Sequence, residues 1–288
     1  PSCASVPLFS ERETMQNNLK ICFIGGGNMA QALIGGLADK LTAATNIHVV
    51  DINPEALAKL AQTFGVTTAT APDAVIAAAD VIVLAVKPQQ MREVAAALAP
   101  YITQQLVLSI AAGIRAVDLS RWLGGHGAIV RTMPNTPALV GMGITGLAAL
   151  PGVSAAQKEA ADSILQAVGQ TVWLRDESQI DAVTAISGSG PAYVFYFIEA
   201  MQQAALELGL TAEQGKQLAL ATFAGATELA MQSAEPVAVL RERVTSKGGT
   251  TYAALTSLQA SGVQQSIVQA LHAAAARGKV LGEEFGKD

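Results

Sequence analysis

Glycines with apolar neighbours at residues 25–30 (GGGNMA) form a pattern that could bind phosphate. In a Gly-x-Gly-x-x-Ala turn, Gly25 permits the tight bend, Gly27 lets the backbone approach a pyrophosphate, and Ala30 allows a helix to pack closely on a strand. A helix that starts there supplies free N–H groups and a partial positive charge. The predicted cofactor contacts in this turn are Gly25, Gly27, Asn28 and Met29.

An acidic residue, Asp51, ends the second predicted strand, 26 positions after Gly25 (51 − 25 = 26). An acid about 20 residues after such a glycine motif accepts hydrogen bonds from the adenosine ribose, and it repels a 2′-phosphate. No Arg lies within several residues of Asp51, and the nearest cation, Lys59, lies in a predicted helix. The position therefore favours NADH. The alternative is that Asp51 caps the helix that follows.

Two further motifs follow later predicted strands: VKPQ at 86–89 follows the strand at 80–86, and RTMPNTP at 131–137 follows the strand at 128–131. Loops at the carboxyl ends of strands border the ligand crevice of an open α/β sheet. Lys87 and Asn135 could reach ribose or carboxamide groups, although Lys87 could also be a solvated strand end. The predicted cofactor contacts of these loops are Val86, Lys87, Pro88, Met133, Pro134 and Asn135.

The second half carries two motifs rich in glycine and hydroxyl groups. SGSGPAY at 187–193 opens a predicted helix, with Pro191 at its first position and Ser189 as a cap or a ligand hydroxyl. VTSKGGTT at 244–251 offers consecutive backbone N–H groups at a helix start, an arrangement that suits a carboxylate. The alternative for each motif is a helix start or capping turn with no ligand.

The elements that must position these motifs alternate in the first half between short β-branched runs and amphipathic helical runs. Such alternation predicts right-handed βαβ units and a doubly wound, Rossmann-type α/β domain. We assign this dinucleotide-binding domain to residues 15–177 and regard residues 1–14 as an extension or expression remnant outside the fold. The predicted strands are 19–24, 47–51, 80–86, 106–110, 128–131, 143–149 and 171–174, and the predicted helices include 28–38, 54–64 and 154–168.

After about residue 176 the sequence changes to long alanine-rich helical runs at 191–208, 211–232 and 263–284. This change predicts an all-α domain over residues 178–288. The first of these helices carries only two charges, Glu199 and Glu207. Its apolar face is too broad for one small domain to cover, so we expect a partner subunit and at least a homodimer. An intramolecular bundle is the alternative.

The composition argues against several other functions. Hydrophobic residues make up 51% of the 288 residues and charged residues 14%, and the net charge of −5 gives no basic run for nucleic acid. The apolar stretch 74–86 is too short to span a bilayer. Cys3 and Cys22 cannot form a disulfide framework, which favours a reducing, cytoplasmic compartment. No Cys/His spacing suits a metal, and His48, His126 and His272 lie outside every motif.

From Met15 onward, the order and spacing of the four motifs resemble the pyrroline-5-carboxylate reductase family. The loop at 244–251 is the most diagnostic, because the family's loop usually reads Ser-Pro-Gly-Gly-Thr; Lys247 replaces the proline here. The resemblance implies hydride transfer from NADPH or NADH to 1-pyrroline-5-carboxylate, which yields L-proline in the last step of proline biosynthesis. It also implies a dinucleotide-binding domain followed by a dimerisation domain, in homodimers or in larger rings of dimers such as homodecamers.

The resemblance assigns Thr251 a hydroxyl contact to the ring nitrogen of the substrate, with Ser246 as a second catalytic candidate. The substrate contacts that it implies are Gly248, Gly249, Thr250, Thr251 and Ser189. Lys247 loosens the loop and adds a cation near the carboxylate site.

Two other functions compete with this reading. A β-hydroxyacid dehydrogenase needs a lysine on the first long helix, and residues 191–208 contain none. A non-catalytic dinucleotide sensor would need the glycine turn at 25–30 but not the loop at 244–251.

Overall fold

The computed structural model describes residues 18–287, so the predictions for residues 1–14 lie outside the described residues. Within that range the chain divides into two compact units. The first holds residues 18–184 and 278–287, and the second holds residues 185–277. The expected division was a single helical domain over 178–288, whereas the end of the last helix here belongs to the first unit.

The first unit is built on a sheet of eight strands within the described residues, in the order β3-β2-β1-β4-β5-β6-β7-β8. Strands β1 to β6 are parallel, β7 is antiparallel to β6, and β8 is parallel to β7. The order 3-2-1-4-5-6 is that of a dinucleotide-binding Rossmann sheet, as expected. The strands are β1 (Ile21–Ile24), β2 (Ile47–Val50), β3 (Thr67–Ala69), β4 (Val81–Leu84), β5 (Leu106–Ser109), β6 (Ile129–Met133), β7 (Gly143–Ala149) and β8 (Gly169–Trp173).

Two apolar cores cover the two faces of this sheet. Along β1 the side chains alternate, so that Ile21 and Phe23 face one core while Cys22 and Ile24 face the other. All residues of β1, β2, β4 and β5 are buried, which explains their nearly continuous apolar sequences. The helices of this unit are α1 (Asn28–Leu37), α2 (Pro54–Phe64), α3 (Ala74–Ala77), α4 (Met91–Leu98), α5 (Ala116–Trp122), α6 (Ala155–Gln166) and α7 (Ile180–Val183).

A π-helical turn at Thr184–Gly188 leads into the helices of the second unit. Thr211 and Gln214 form a capping box at the start of α9, and a Cβ on Gly215 would lie 2.8 Å from the Cβ of Ala205, so α8 and α9 approach closely. The helices are α8 (Gly190–Glu207), α9 (Ala212–Gln232), α10 (Val237–Arg243), α11 (Thr250–Ala260) and α12 (Val263–Phe285), the last of which ends in the first unit.

Large apolar side chains of the second unit remain exposed. Tyr196 on α8 is 73% exposed, Leu229 on α9 is 69% exposed, and Leu208 is 83% exposed. Buried residues of this unit within the described chain are only Ala185, Ile198, Gly215 and Ala219. The chain therefore does not cover its own helices, and the alternative of a self-sufficient intramolecular bundle is wrong. Among the described residues, no helix is long and apolar enough to cross a membrane.

Candidate functional site

The glycine turn between β1 and α1 requires its first glycine for steric reasons. Gly25 has a φ of +102°, and a Cβ on this residue would lie 2.7 Å from the carbonyl oxygen of Ala85. The Gly25 N–H donates a hydrogen bond of 2.8 Å to the carbonyl of Val50, so the turn is held between the ends of β2 and β4. Only glycine accepts both this dihedral angle and this approach.

Gly27 has a different reason to be glycine. Its φ of −68° is available to any residue, and a Cβ there would meet no protein atom within 4 Å. It is the N-cap of α1, and no side chain caps that helix. Open space in front of uncapped N–H groups is what a pyrophosphate needs, so this end of the helix fits the phosphates of a dinucleotide.

Asp51 holds the glycine turn in place. Its Oδ2 accepts a hydrogen bond of 2.7 Å from the Gly26 N–H, and its Oδ1 accepts one of 2.9 Å from the Asn53 N–H. Asn53, not Asp51, caps α2, because its side chain accepts from the N–H groups of Glu55 and Ala56. The alternative role of Asp51 as the cap of α2 is therefore wrong.

A cleft of about 470 Å³ opens at the carboxyl ends of β1, β2 and β4, where the strand order reverses direction. Five of the predicted cofactor residues line it: Gly25, Gly27, Asp51, Val86 and Lys87. It is also lined by residues that sequence reasoning did not select, among them Ile52, Thr70, Pro72, Gln90, Glu93 and Val94. For Ile52, Thr70 and Pro72, the signal that could have found them is their position within a few residues of the ends of β2 and β3.

The loop after β6 does not line this cleft. Asn135 is buried, and its Oδ1 accepts a hydrogen bond of 2.9 Å from the Ile144 N–H, so this oxygen holds the loop against the start of β7. Pro134 is buried and Met133 is half-buried. Asn28, Met29 and Pro88 also lie outside the lining of the cleft. A cofactor contact for these residues remains a prediction.

An ion-pair network centred on Arg131, in the middle of β6, was missed by sequence reasoning. The buried Arg131 contacts Glu177 (Nη1 to Oε1, 3.0 Å) and Asp181 (Nη2 to Oδ1, 3.8 Å). The same Glu177 oxygen accepts a hydrogen bond of 2.7 Å from the Ala116 N–H. A buried guanidinium requires such partners, and this one ties β6 to α5 and α7. An arginine inside the apolar run of β6 was the available signal.

In the second unit, the loop before α11 presents unbonded N–H groups. Gly248 has a φ of +76°, and the Gly249 N–H donates to the carbonyl of Ser246 at 3.0 Å. Gly249 is the N-cap of α11, and no side chain caps this helix. The first three N–H groups of α11, those of Thr250, Thr251 and Tyr252, consequently have no partner within the described chain. This end of α11 fits an anion.

The hydroxyl groups that sequence reasoning selected lie in the same unit as this loop. Ser246 and Thr250 are exposed, and Thr251 is half-buried. Ser189 is the N-cap of α8, but its side chain makes no capping hydrogen bond, so its predicted role as a side-chain cap is wrong. Pro191 occupies the second position of α8 instead of the first, because the helix begins at Gly190.

The buried thiol in β1 has no catalytic character. Burial, and to a lesser extent the negative charge of Asp73, raise the pKa of Cys22 to about 12. The thiolate needed for nucleophilic attack or metal binding is therefore scarce at neutral pH. Among the described residues, no group of three or more His, Cys, Asp or Glu side chains is placed to hold a metal ion.

Comparison with known proteins identifies both units. Residues 177–281 match the family model described as pyrroline-5-carboxylate reductase dimerisation, and residues 20–113 match the model for NADP oxidoreductase, coenzyme F420-dependent. Pyrroline-5-carboxylate reductase from Pseudomonas aeruginosa is 49% identical, over 93% of this chain and 98% of that protein. Pyrroline-5-carboxylate reductase 2 from Bacillus subtilis is 38% identical over 92% of this chain and 96% of that protein.

Solved structures that resemble this chain come from the same family as its sequence relatives. A pyrroline-5-carboxylate reductase from Coxiella burnetii has a TM-score of 0.87 and 41% identity, covering 92% of this chain and 99% of that one. The Plasmodium falciparum enzyme with NADP bound has a TM-score of 0.83 and 31% identity, covering 93% and 99%. The match to a dimerisation model and the exposed apolar helices both support a homo-oligomer. Because these similarities run through nearly the whole length of the chain and of its relatives, the chain belongs to the pyrroline-5-carboxylate reductase family, whose members are NAD(P)H-dependent oxidoreductases.

Proposed function

We propose that this protein reduces the C=N bond of 1-pyrroline-5-carboxylate to give L-proline, with NADPH or NADH as the reductant. Family membership supports the reaction. The structural observation that carries the proposal is the set of three unbonded N–H groups at the start of α11, behind Gly248 and Gly249. A substrate carboxylate supplies the acceptors that these donors lack.

The first unit holds the cofactor, which supplies a hydride when bound. Gly25 shapes the turn, Gly27 leaves room for the pyrophosphate, and the free N–H groups of α1 donate to the phosphates. Asp51 keeps acceptor positions for the hydroxyls of the adenosine ribose. The loops of 86–88 and 133–135 flank the nicotinamide half. Within these two loops, Val86 and Lys87 are assigned because they line the cleft, and Pro88, Met133, Pro134 and Asn135 are assigned from the family motif.

The second unit holds the substrate. The Thr250 and Thr251 N–H groups donate to its carboxylate, Lys247 supplies a positive charge nearby, and Ser246 and Ser189 are supporting hydroxyls. The Thr251 hydroxyl contacts the ring nitrogen. A hydroxyl can bind both the substrate and the product, since it accepts a hydrogen bond from the N–H of a protonated imine and donates one to the lone pair of the product amine. A protonated imine is already electrophilic, so positioning is the main demand on the protein.

We further propose that the protein acts in the cytoplasm as a homodimer, and that dimers associate into a homodecamer. The exposed apolar side chains of α8 and α9 support the dimer, because they would remain in water in a single chain. The two cysteines, of which Cys22 is buried and free, support a reducing compartment.

Replacement of Thr251 by Ala separates this proposal from a non-catalytic NAD(P)H sensor. We expect the variant to bind NADH with the wild-type Kd and to lose about 10- to 100-fold in kcat/KM for pyrroline-5-carboxylate, because one hydrogen bond to the reacting nitrogen is removed. Binding is followed by titration of NADH fluorescence, and turnover by oxidation of NADH and NADPH at equal concentration.

Thr256→Ala is the matched control. Thr256 lies on the same helix, and its hydroxyl donates to the carbonyl of Tyr252 at 2.8 Å, away from the loop. We expect this variant to keep wild-type turnover. No turnover by the wild-type protein with either cofactor, despite measurable NADH binding, would favour the sensor. An equal loss of binding and turnover in Thr251→Ala would contradict the role given to this residue.

A further inference from the structure

The charged side chains that line the cofactor cleft are mostly negative. They are Asp51, at the end of β2, Glu93, in the first turn of α4, and Lys87, just after β4. Sequence reasoning considered only Asp51, because Glu93 lies 42 positions further along the chain (93 − 51 = 42) and belongs to no motif. The fold brings the two carboxylates to one cleft.

Asp51 cannot turn away from a ligand without losing two hydrogen bonds. Its oxygens accept from the N–H groups of Gly26 and Asn53, at 2.7 Å and 2.9 Å. An ionised carboxylate offers about four acceptor positions, so about two remain. Two remaining acceptors match the two hydroxyls of an unmodified adenosine ribose. A 2′-phosphate removes one of these donors and adds a charge of about −1.5 to −2.

The cleft has no arginine to receive that phosphate. Lys59 and Arg92 are the cations nearest in sequence to the two carboxylates, and neither lines the cleft. Beside Asp51, the side chain of Ile52 is 83% exposed and also lines the cleft, so it offers an apolar surface to a base instead of a cation to a phosphate. A phosphate beside Asp51 would therefore meet like charge, because the cation that lines the cleft, Lys87, lies in the loop after β4 that is assigned to the nicotinamide half.

We propose that Glu93 and Asp51 together select NADH over NADPH as the reductant of this enzyme. The proposal rests on the dinucleotide-binding role given to the first unit, and it adds Glu93 as a specificity-determining residue. Asp51 provides acceptors for the ribose hydroxyls, and Glu93 contributes a second negative charge that disfavours a phosphorylated ribose.

The test measures binding of ADP-ribose and of 2′-phospho-ADP-ribose to the full-length protein by isothermal titration calorimetry. These probes lack nicotinamide, so the result does not depend on turnover. We expect the wild-type protein to bind ADP-ribose about tenfold or more tightly than the phosphorylated form at low salt. The ratio should shrink as ionic strength rises, because salt screens the repulsion.

Glu93→Gln is the informative variant, because it removes the charge and keeps a good helix former in α4. We expect it to lower the ratio of the two affinities by roughly threefold to tenfold. Glu55→Gln is the matched control, since Glu55 is exposed in the first turn of α2 and does not line the cleft. It should leave the ratio unchanged. Asp51→Ser should lower the ratio further, although it also removes the two bonds to the glycine turn.

Equal or tighter binding of 2′-phospho-ADP-ribose by the wild-type protein overturns the proposal. So does a Glu93→Gln protein whose ratio equals that of Glu55→Gln. If both probes bind and pyrroline-5-carboxylate is reduced while the ratio stays near one, only the selection fails and the proposed function stands. If neither probe binds, the dinucleotide-binding role itself is lost.

Discussion

Gly25 and Gly27 lie in the same turn, yet replacing them by alanine should affect different properties. Gly25→Ala should lower the stability of the fold, whereas Gly27→Ala should weaken the binding of the cofactor. At Gly25 the new Cβ would lie 2.7 Å from the carbonyl oxygen and 2.8 Å from the carbonyl carbon of Ala85, at a φ of +102°. A left-handed backbone costs a non-glycine residue about 1–2 kcal/mol. A collision with a backbone that β4 holds in place costs about 1–3 kcal/mol more. Gly25→Ala should therefore lower the free energy of unfolding by about 2–5 kcal/mol.

At Gly27 the new Cβ meets no protein atom within 4 Å, and the backbone is already compatible with alanine. Because the residue is an N-cap, we expect a change of about 1 kcal/mol or less in the free energy of unfolding. The same Cβ would extend towards the space in front of α1, where the pyrophosphate is expected. The Kd for NADH should rise by at least about tenfold, which corresponds to about 1.4 kcal/mol.

Urea denaturation with linear extrapolation gives the unfolding free energies, and titration of NADH fluorescence gives the Kd values. A Gly25→Ala protein as stable as the wild type would refute the close approach of the turn to β4. A stable Gly27→Ala protein that binds NADH with wild-type affinity would refute the place given to the pyrophosphate.

Two further predictions concern the substrate loop and the buried thiol. Lys247→Met should raise the KM for pyrroline-5-carboxylate several-fold with little change in kcat, because an exposed cation attracts the carboxylate equally in the ground and transition states. Steady-state kinetics at two ionic strengths checks this; a KM that does not change at low salt would exclude a role for the charge. In a Cys3→Ser background, Cys22 should not react with Ellman's reagent at pH 8 unless the protein is unfolded. Burial raises the pKa of the Cys22 thiol from 9.0 to about 12. Its contribution to stability is therefore complete below about pH 9.0 and is lost as the pH rises from 9.0 towards 12. Urea midpoints across this range should fall more steeply than those of Cys22→Ala.

The elements of the first unit that were easiest to predict are those whose signals are local. The strand, glycine turn and helix of 21–37 lie within a few residues of each other, and burial on both faces makes β1 and β4 read as unbroken apolar runs. β3 was not located, because its three residues are partly exposed and their threonines and alanine have no clear period. The role of Asp51 as a cap was open until Asn53 was seen to accept from Glu55 and Ala56.

In the candidate site, too, local features could be predicted from the sequence and contacts between distant residues could not. The conformation of the loop at 244–251 could be predicted, since Gly248 supplies the left-handed turn and the helix after it supplies free N–H groups. The place of Glu93 and the partners of Arg131 could not be predicted, because Glu93 shares the cleft with a residue 42 positions away and the partners of Arg131 lie 46 or more positions from it. Nothing local in the sequence specifies such pairs.

By itself the sequence determined the alternation of strands and helices apart from β3, the glycine turn, the helix start that follows Gly248 and the resemblance to its family, since each depends on residues that are neighbours along the chain. Only the tertiary structure decided which side chains share the cofactor cleft and which carboxylate is held by two N–H groups. It also decided that the end of α12 packs in the first unit and that the apolar helices of the second unit stay uncovered. These outcomes depend on packing between distant segments, where burial and charge are settled by neighbours in space.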